Sequence, residues 1–157
     1  MNEERVYLVR HAKAGSRSKW EQDDRLRPLS KRGARQARKI AKALADAPVT
    51  EIVSSPYVRC VDTVLPLAAA RGLPVVPDEA LAEGVDVEAC MALMKRSLDG
   101  AVLCSHGDVI PAAIEALAAD GLRIEGPAGW RKGSTWVLER EDGRFIRARY
   151  VPPPDEV

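Results

Sequence analysis

The sequence predicts an α/β protein: a three-layer α/β/α sandwich with a mostly parallel central sheet and a C-terminal hairpin. Three observations carry that prediction. Short apolar runs rich in β-branched residues alternate with segments of helical periodicity. Two of those runs, 5–10 and 101–105, lead directly into His11 and His106, as expected where parallel strands present ligand-binding groups at their carboxyl ends. Two further apolar runs flank Glu141-Asp-Gly143, a hairpin signal.

In chain order, residues 5–10 read as a buried strand. A long polar loop follows from Ala12 to Leu29, and a loop of that length in a compact domain is more often functional than idle. Ser30 is placed to cap a helix over 31–45, with Ala34, Ala37, Ile40, Ala41 and Leu44 as its apolar stripe. Residues 50–54 read as a second strand. Ser55-Pro56 closes it and opens a helix with proline in its first turn, running to about Ala70, with Pro66 as a kink point and Gly72 as its end. A third strand is expected over 73–76, a helix over 86–98, a fourth strand over 101–105, and a helix over 109–119 with Asp108 at its cap. Residues 121–133 read as loop, and 135–140 with 144–151 as the hairpin. The domain is expected to span 1–151, with 152–157 a loose tail.

Composition narrows the function. Aromatics are 4%, too few for a base-stacking groove to be the main business. The net charge is +1, but residues 1–42 hold 13 Lys/Arg against 5 Asp/Glu, and the rest hold the opposite excess. That asymmetry hints at an anionic ligand near the N-terminal part, although a solvated helix face explains it equally well. Cys60, Cys90 and Cys104 are an odd count at no metal-like spacing, and there are two histidines, so neither a zinc site nor any other metal is expected. The thiols read as free in a reducing cytosol, and the location as cytoplasmic. The opening Met-Asn-Glu-Glu-Arg lacks a signal peptide's basic and apolar regions, and no apolar run reaches the roughly 20 residues of a membrane span.

The chemistry rests on four side chains. His11 and His106 follow apolar strands, Arg10 ends one, and Arg59 sits early in the helix after the second strand. On one edge of a parallel sheet these can converge into an electropositive pocket for a tetrahedral dianion, because guanidinium matches phosphate bidentately. An imidazole can also attack phosphorus directly.

These residues sit in recognisable contexts. Leu8-Val-Arg-His-Ala12, Ser54-Ser-Pro-Tyr-Val-Arg-Cys-Val-Asp-Thr63 and Ser105-His-Gly107, with Leu29-Ser-Lys-Arg-Gly33 before Gln36-Ala37, resemble the histidine phosphatase (phosphoglycerate mutase-like) superfamily. The resemblance runs from Val6 to about Tyr150. The short length and Arg27-Pro28-Leu29 look like the compact SixA branch. The segment from Cys104 through Ile110-Pro111 to Lys132-Gly-Ser-Thr-Trp-Val-Leu138 is more similar to the histidine phosphatase domain of mycobacterial two-domain Nudix proteins, whose Nudix half is not found in this chain.

The resemblance implies roles. His11 would be the nucleophile that becomes phosphohistidine. Arg10, Arg59 and His106 would hold the phosphoryl oxygens. Glu83, in Leu81-Ala82-Glu83, would be the proton donor, with Glu79 second. Lys13, Ser16, Arg27 and Gly107 are substrate-binding candidates; Arg25, Ser105 and Ser134 are weaker ones. No cofactor is implied. The reading is a metal-independent phosphohydrolase acting on a small phosphorylated substrate or a phosphohistidine protein, or alternatively on a nucleotide di- or polyphosphate. A non-catalytic phosphate-binding module is the other class. No nucleic-acid or membrane partner is expected, and the sequence is silent on oligomeric state.

Three rival signals carry less. Cys90-x5-Arg96 fits a cysteine-phosphatase pattern, but the intervening residues are mostly large, read as helical and include no glycine for a phosphate cradle. Cys104 lies inside a buried strand, where a thiol is usually inert. The basic helix 31–42 has no interleaved aromatics for nucleic acid.

Overall fold

The structure is a computed structural model that describes residues 3–154. Met1, Asn2 and residues 155–157, the end of the predicted tail, lie outside the described residues; of the rest of that tail, Pro153 is buried.

The described residues form a seven-stranded sheet, mostly parallel as predicted. The strands are β1 (Glu4–Arg10), β2 (Glu51–Ser54), β3 (Val75–Pro77), β4 (Ala101–Ser105), β5 (Arg123–Glu125), β6 (Thr135–Glu141) and β7 (Arg144–Val151), in the spatial order β3-β2-β4-β1-β6-β7-β5. β3, β2, β4 and β1 are parallel neighbours, β6 runs antiparallel beside β1, and β7 antiparallel beside β6.

Helices cover both faces: α1 (Lys31–Ala43) and α2 (Val58–Arg71) on one, α3 (Val87–Arg96) and α4 (Val109–Ala119) on the other. The run Val6 to Val9 serves both layers, because successive strand side chains point to opposite faces. Val6 and Leu8 pack with α3 and α4, and Tyr7 and Val9 with α1 and α2. This is why the strand reads as a continuous apolar run rather than an alternating one.

Several boundaries differ from the sequence reading. α2 begins at Val58, two residues later than Pro56 suggested. The Ser55 hydroxyl accepts the Tyr57 N–H (3.2 Å), so the chain turns before it coils. α2 runs through Pro66 and ends at Gly72, whose φ of +66° is the left-handed cap that glycine favours. The segment 121–133 is not all loop: Arg123–Glu125 adds a parallel edge strand to β7, exposed throughout and therefore without an apolar signal. The long loop is also partly ordered by backbone pairing of Ala14 with Leu29 and a 3-10 turn at Asp24–Leu26. Ser30 caps α1 as expected, accepting the Gly33 N–H at 3.0 Å. Among the described residues, no helix is long and apolar enough to cross a membrane.

Candidate active site

The carboxyl ends of β1, β4 and β2 lie side by side, with Arg10 opposite Ser105 and Ser54 opposite Cys104. The ladder continues one residue further: His11 N–H donates to Ser105 O (3.1 Å) and Ser55 N–H to Cys104 O (2.9 Å). His11, Ser55 and His106 therefore emerge together. Because β6 is antiparallel, its start is on the same edge, and Arg10 N–H donates to Ser134 O (3.0 Å). The segment before β6 thus reaches a site otherwise built from parallel strands.

His11 is buried, and its Nδ1 lies 2.8 Å from Ala12 O. A carbonyl only accepts, so Nδ1 carries the proton and Nε2 keeps its lone pair. Burial pushes the His11 pKa down to about 3; the Ala12 hydrogen bond opposes this, and the charges of His106, Arg59 and Arg10 add to the drop. The ring is neutral near pH 7. The Ala12 N–H is held by the Thr63 hydroxyl (2.9 Å), which donates to Arg59 O (2.7 Å), tying this turn to α2.

Arg10 reaches the carbonyl of Trp130 through Nη1. Trp130 stacks on the buried Trp136 (centroids 5.3 Å apart), which in turn lies against Tyr150, so an aromatic ladder holds the segment that anchors the guanidinium. Gly107 lies against the guanidinium, where a Cβ would fall 2.6 Å from Arg10 Cζ. Arg59 is 1% exposed and bonds Asp24 O (3.0 Å), Asp24 Oδ2 (3.1 Å) and Glu83 Oε1 (2.8 Å), with its face over Tyr57. The Nε–H groups of Arg10 and Arg59 are buried without a protein partner. Unpaired buried donors are costly, about 1–3 kcal/mol each, and both of these guanidiniums line one cavity.

His106 is buried; its Nε2 is 2.8 Å from Ser55 Oγ and 3.5 Å from Cys60 Sγ, and its Nδ1 is 3.7 Å from Glu83 Oε1. The two imidazoles meet edge-on at 5.4 Å. Asp24 joins the loop to the site, bonding Arg27 Nε (3.0 Å) as well as Arg59. Against the upward push of partial burial, the Arg27 hydrogen bond and the charges of Arg59, Arg27 and Arg17 hold its carboxyl below the usual carboxylate range.

A cavity of about 570 Å³ opens over these groups. It is lined by all the sequence-expected catalytic candidates, His11, Arg10, Arg59, His106 and Glu83, and by the binding candidates Lys13, Ser16, Arg27 and Gly107. The weaker candidates are engaged elsewhere. Arg25 pairs with Glu79 (2.8 Å), away from the cavity lining; the Ser105 hydroxyl donates to Leu81 O (2.7 Å), and that of Ser134 to Arg131 O. The rival cysteines are accounted for. Cys90 and Arg96 lie in helix α3, and burial pushes the Cys90 thiol up to about 12 and the Cys104 thiol well above its usual value. Sequence reasoning did not single out Asp24, Ser55, Arg17, Asp108 or Lys132. Ser55 was visible only as a turn residue within the family-like motif, Asp108 only as a helix cap and Lys132 only as the start of a family-like segment, while Asp24 and Arg17 carry no local pattern. Among the described residues, no group of three or more His, Cys, Asp or Glu is placed to hold a metal ion.

Residues 6–86 match the family model of the histidine phosphatase superfamily (branch 1). The chain is 38% identical to an 8-oxo-(d)GTP phosphatase of Mycolicibacterium smegmatis (strain ATCC 700084 / mc(2)155), covering 96% of this chain and 49% of that protein. It therefore spans about half the length of that curated relative. Its fold is similar to the crystal structure of the candidate phosphohistidine phosphatase SixA from Agrobacterium tumefaciens, with TM-score 0.75 and 28% identity over 96% of this chain and 98% of that one. It is also similar in fold to the protein histidine phosphatase SixA complexed with tungstate, with TM-score 0.79 and 18% identity over 95% and 97% of the two chains.

Proposed function

The chain belongs to the histidine phosphatase superfamily, branch 1, and we propose that it is a phosphohydrolase that works through a phosphohistidine at His11. The observation that carries this reading is the state of that ring. His11 is neutral, its Nδ1 proton is committed to Ala12 O, and its remaining lone pair belongs to a ring that lines a cavity rich in guanidinium.

In the first step the Nε2 lone pair of His11 bonds to phosphorus, and the bond to the leaving oxygen breaks with its electron pair going to that oxygen. Arg10, Arg59 and His106 stabilise the charge that spreads over the equatorial oxygens, with Arg10 and Arg59 contributing Nε–H donors that have no protein partner. Phosphoryl oxygens that take the Arg59 guanidinium displace Glu83 from its ion pair; the freed carboxylate takes up a proton from the bound substrate monoanion or from solvent and hands it to the leaving oxygen. In the second step water attacks phosphorus and gives a proton to Glu83, the nitrogen–phosphorus bond breaks back to Nε2, and phosphate departs. The guanidiniums supply the charge stabilisation, so the scheme needs no metal ion.

Two substrate classes are in view. Likeness to SixA favours a phosphohistidine protein or small phosphorylated compound; likeness to an 8-oxo-(d)GTP phosphatase favours a nucleotide polyphosphate. The test of the reaction is common to both. Wild type in chelator should release phosphate from p-nitrophenyl phosphate and take up acid-labile label from a 32P-labelled substrate. His11→Ala should do neither. Turnover by the variant would overturn the assignment, and tight phosphate binding without labelling would indicate a binding module instead.

A further inference from the structure

The cavity holds more positive charge than one phosphoryl group needs. Its lining includes six cations, Arg10, Lys13, Arg17, Arg27, Arg59 and Lys132, against two carboxylates, Glu83 and Asp108. Three cations are already engaged: Arg59 with Asp24 and Glu83, Arg27 with Asp24, and Arg17 loosely with both acids. Among the described residues, Lys13, Lys132 and Arg10 have no carboxylate within ion-pair distance. The Lys132 ammonium is held below its ordinary value by burial and by the charges of Arg10, Arg27, Lys13 and Arg17, as expected in an under-neutralised cluster.

The backbones of the two lysines, whose side chains are exposed, are also tied to one another. Gln36, on α1 and 7% exposed, accepts the Lys13 N–H through Oε1 (3.2 Å) and donates to the Lys132 carbonyl through Nε2 (3.0 Å). Two glycines permit this. A Cβ on Gly33 would lie 1.9 Å from Lys13 O, and one on Gly133 would lie 2.3 Å from Gln36 Nε2. A buried amide thus joins the loop after β1 to the segment before β6 and sets one lysine from each at the same cavity as Arg10.

We propose that Lys13 and Lys132 form a second anion subsite beside the transferring phosphoryl group, so that the substrate ends in a phosphoanhydride, as a nucleoside di- or triphosphate does. This rests on the reading of His11 as nucleophile. The terminal phosphoryl sits among Arg10, Arg59 and His106. The bond that breaks joins its phosphorus to the bridging oxygen, whose electron pair leaves on the next phosphate. The two ammoniums stabilise the charge gathering there, and a phosphate leaving group makes little demand on Glu83 as acid. A phosphohistidine protein, by contrast, offers no second phosphate for these lysines.

The test compares phosphate release by the full chain from a nucleoside diphosphate, inorganic diphosphate, p-nitrophenyl phosphate and a phosphohistidine peptide. A charge-assisted hydrogen bond to phosphate accounts for about tenfold or more. Lys13→Ala and Lys132→Ala should each lower kcat/KM for the diphosphates about tenfold more than for the aryl phosphate, and Lys132→Arg should recover most of the loss. Equal losses on both substrates, no loss on either, or a wild type that prefers the phosphohistidine peptide would overturn the proposal. Equal response to the nucleoside and inorganic diphosphates would assign recognition to the anhydride alone. Affinity for a methylene-bridged nucleoside diphosphate analogue, measured calorimetrically, should fall about tenfold in Lys132→Ala, and an unchanged affinity would count against the subsite. Failure of labelling with an intact diphosphate preference would sink the phosphohistidine step alone; labelling without that preference would sink the subsite alone.

Discussion

Gly107→Ala tests the site through one methyl group. The added Cβ would fall 2.6 Å from Arg10 Cζ and Nη2 and 2.9 Å from Nε. Ordinary contacts between such atoms are about 3.5–4.0 Å, so the guanidinium must retreat by about 1 Å. It cannot retreat freely, because Nη1 is anchored on the Trp130 carbonyl and the backbone of Arg10 is locked in β1. Either that anchor breaks or the fork turns away from the cavity. A displacement of about 1 Å in a positioning group can cost about 10²-fold in rate, roughly 2.7 kcal/mol of transition-state stabilisation. Gly107 has no left-handed backbone and is only half-buried, so stability should change by about 1 kcal/mol or less. Initial rates on p-nitrophenyl phosphate, paired with thermal unfolding, read both quantities. If the folded variant keeps kcat/KM within about twofold of wild type, Arg10 does not hold the phosphoryl group from the position seen here.

Two further outcomes follow from the histidines. The His11 imidazole binds a proton below about pH 6.5 when unfolded but only near pH 3 when folded. The unfolded state therefore holds more protons across that window, and stability rises with pH through it. Wild type should lose about 2 kcal/mol of unfolding free energy between pH 7 and pH 5 that His11→Asn does not lose, measured by urea denaturation; parallel pH dependences would contradict the neutral buried ring. Ser55→Ala removes the hydroxyl that faces His106 Nε2 and accepts the Tyr57 N–H. It should cost about 1–3 kcal/mol of stability and lower kcat about tenfold with KM little altered, because it releases the imidazole rather than the substrate; an unchanged kcat would show that His106 needs no such tether.

What was legible in the sequence, and what was not, divides along a physical line. Groups at the ends of apolar strands could be read in advance, because a buried parallel strand has one direction and one edge, and whatever follows it emerges there. Arg10, His11 and His106 were found that way, and Arg59 through the helix after β2. Lys132 could not be, since it precedes β6, and only the antiparallel placement of β6 beside β1 brings that segment to the edge where the parallel strands end. Asp24 was hidden for a different reason. It sits on a 3-10 turn inside a polar loop, and its value lies in the partners it meets, Arg59 and Arg27, which no local pattern encodes. The same distinction bears on function. On the reading proposed above, residues tied to strand ends hold the phosphoryl group, whereas the groups proposed to favour a phosphate leaving group, Lys13 and Lys132, are carried by connections whose backbones are tied together by the buried Gln36. A change of substrate within this architecture therefore requires altering those connections and their shared anchor, while the strand ends can stay as they are.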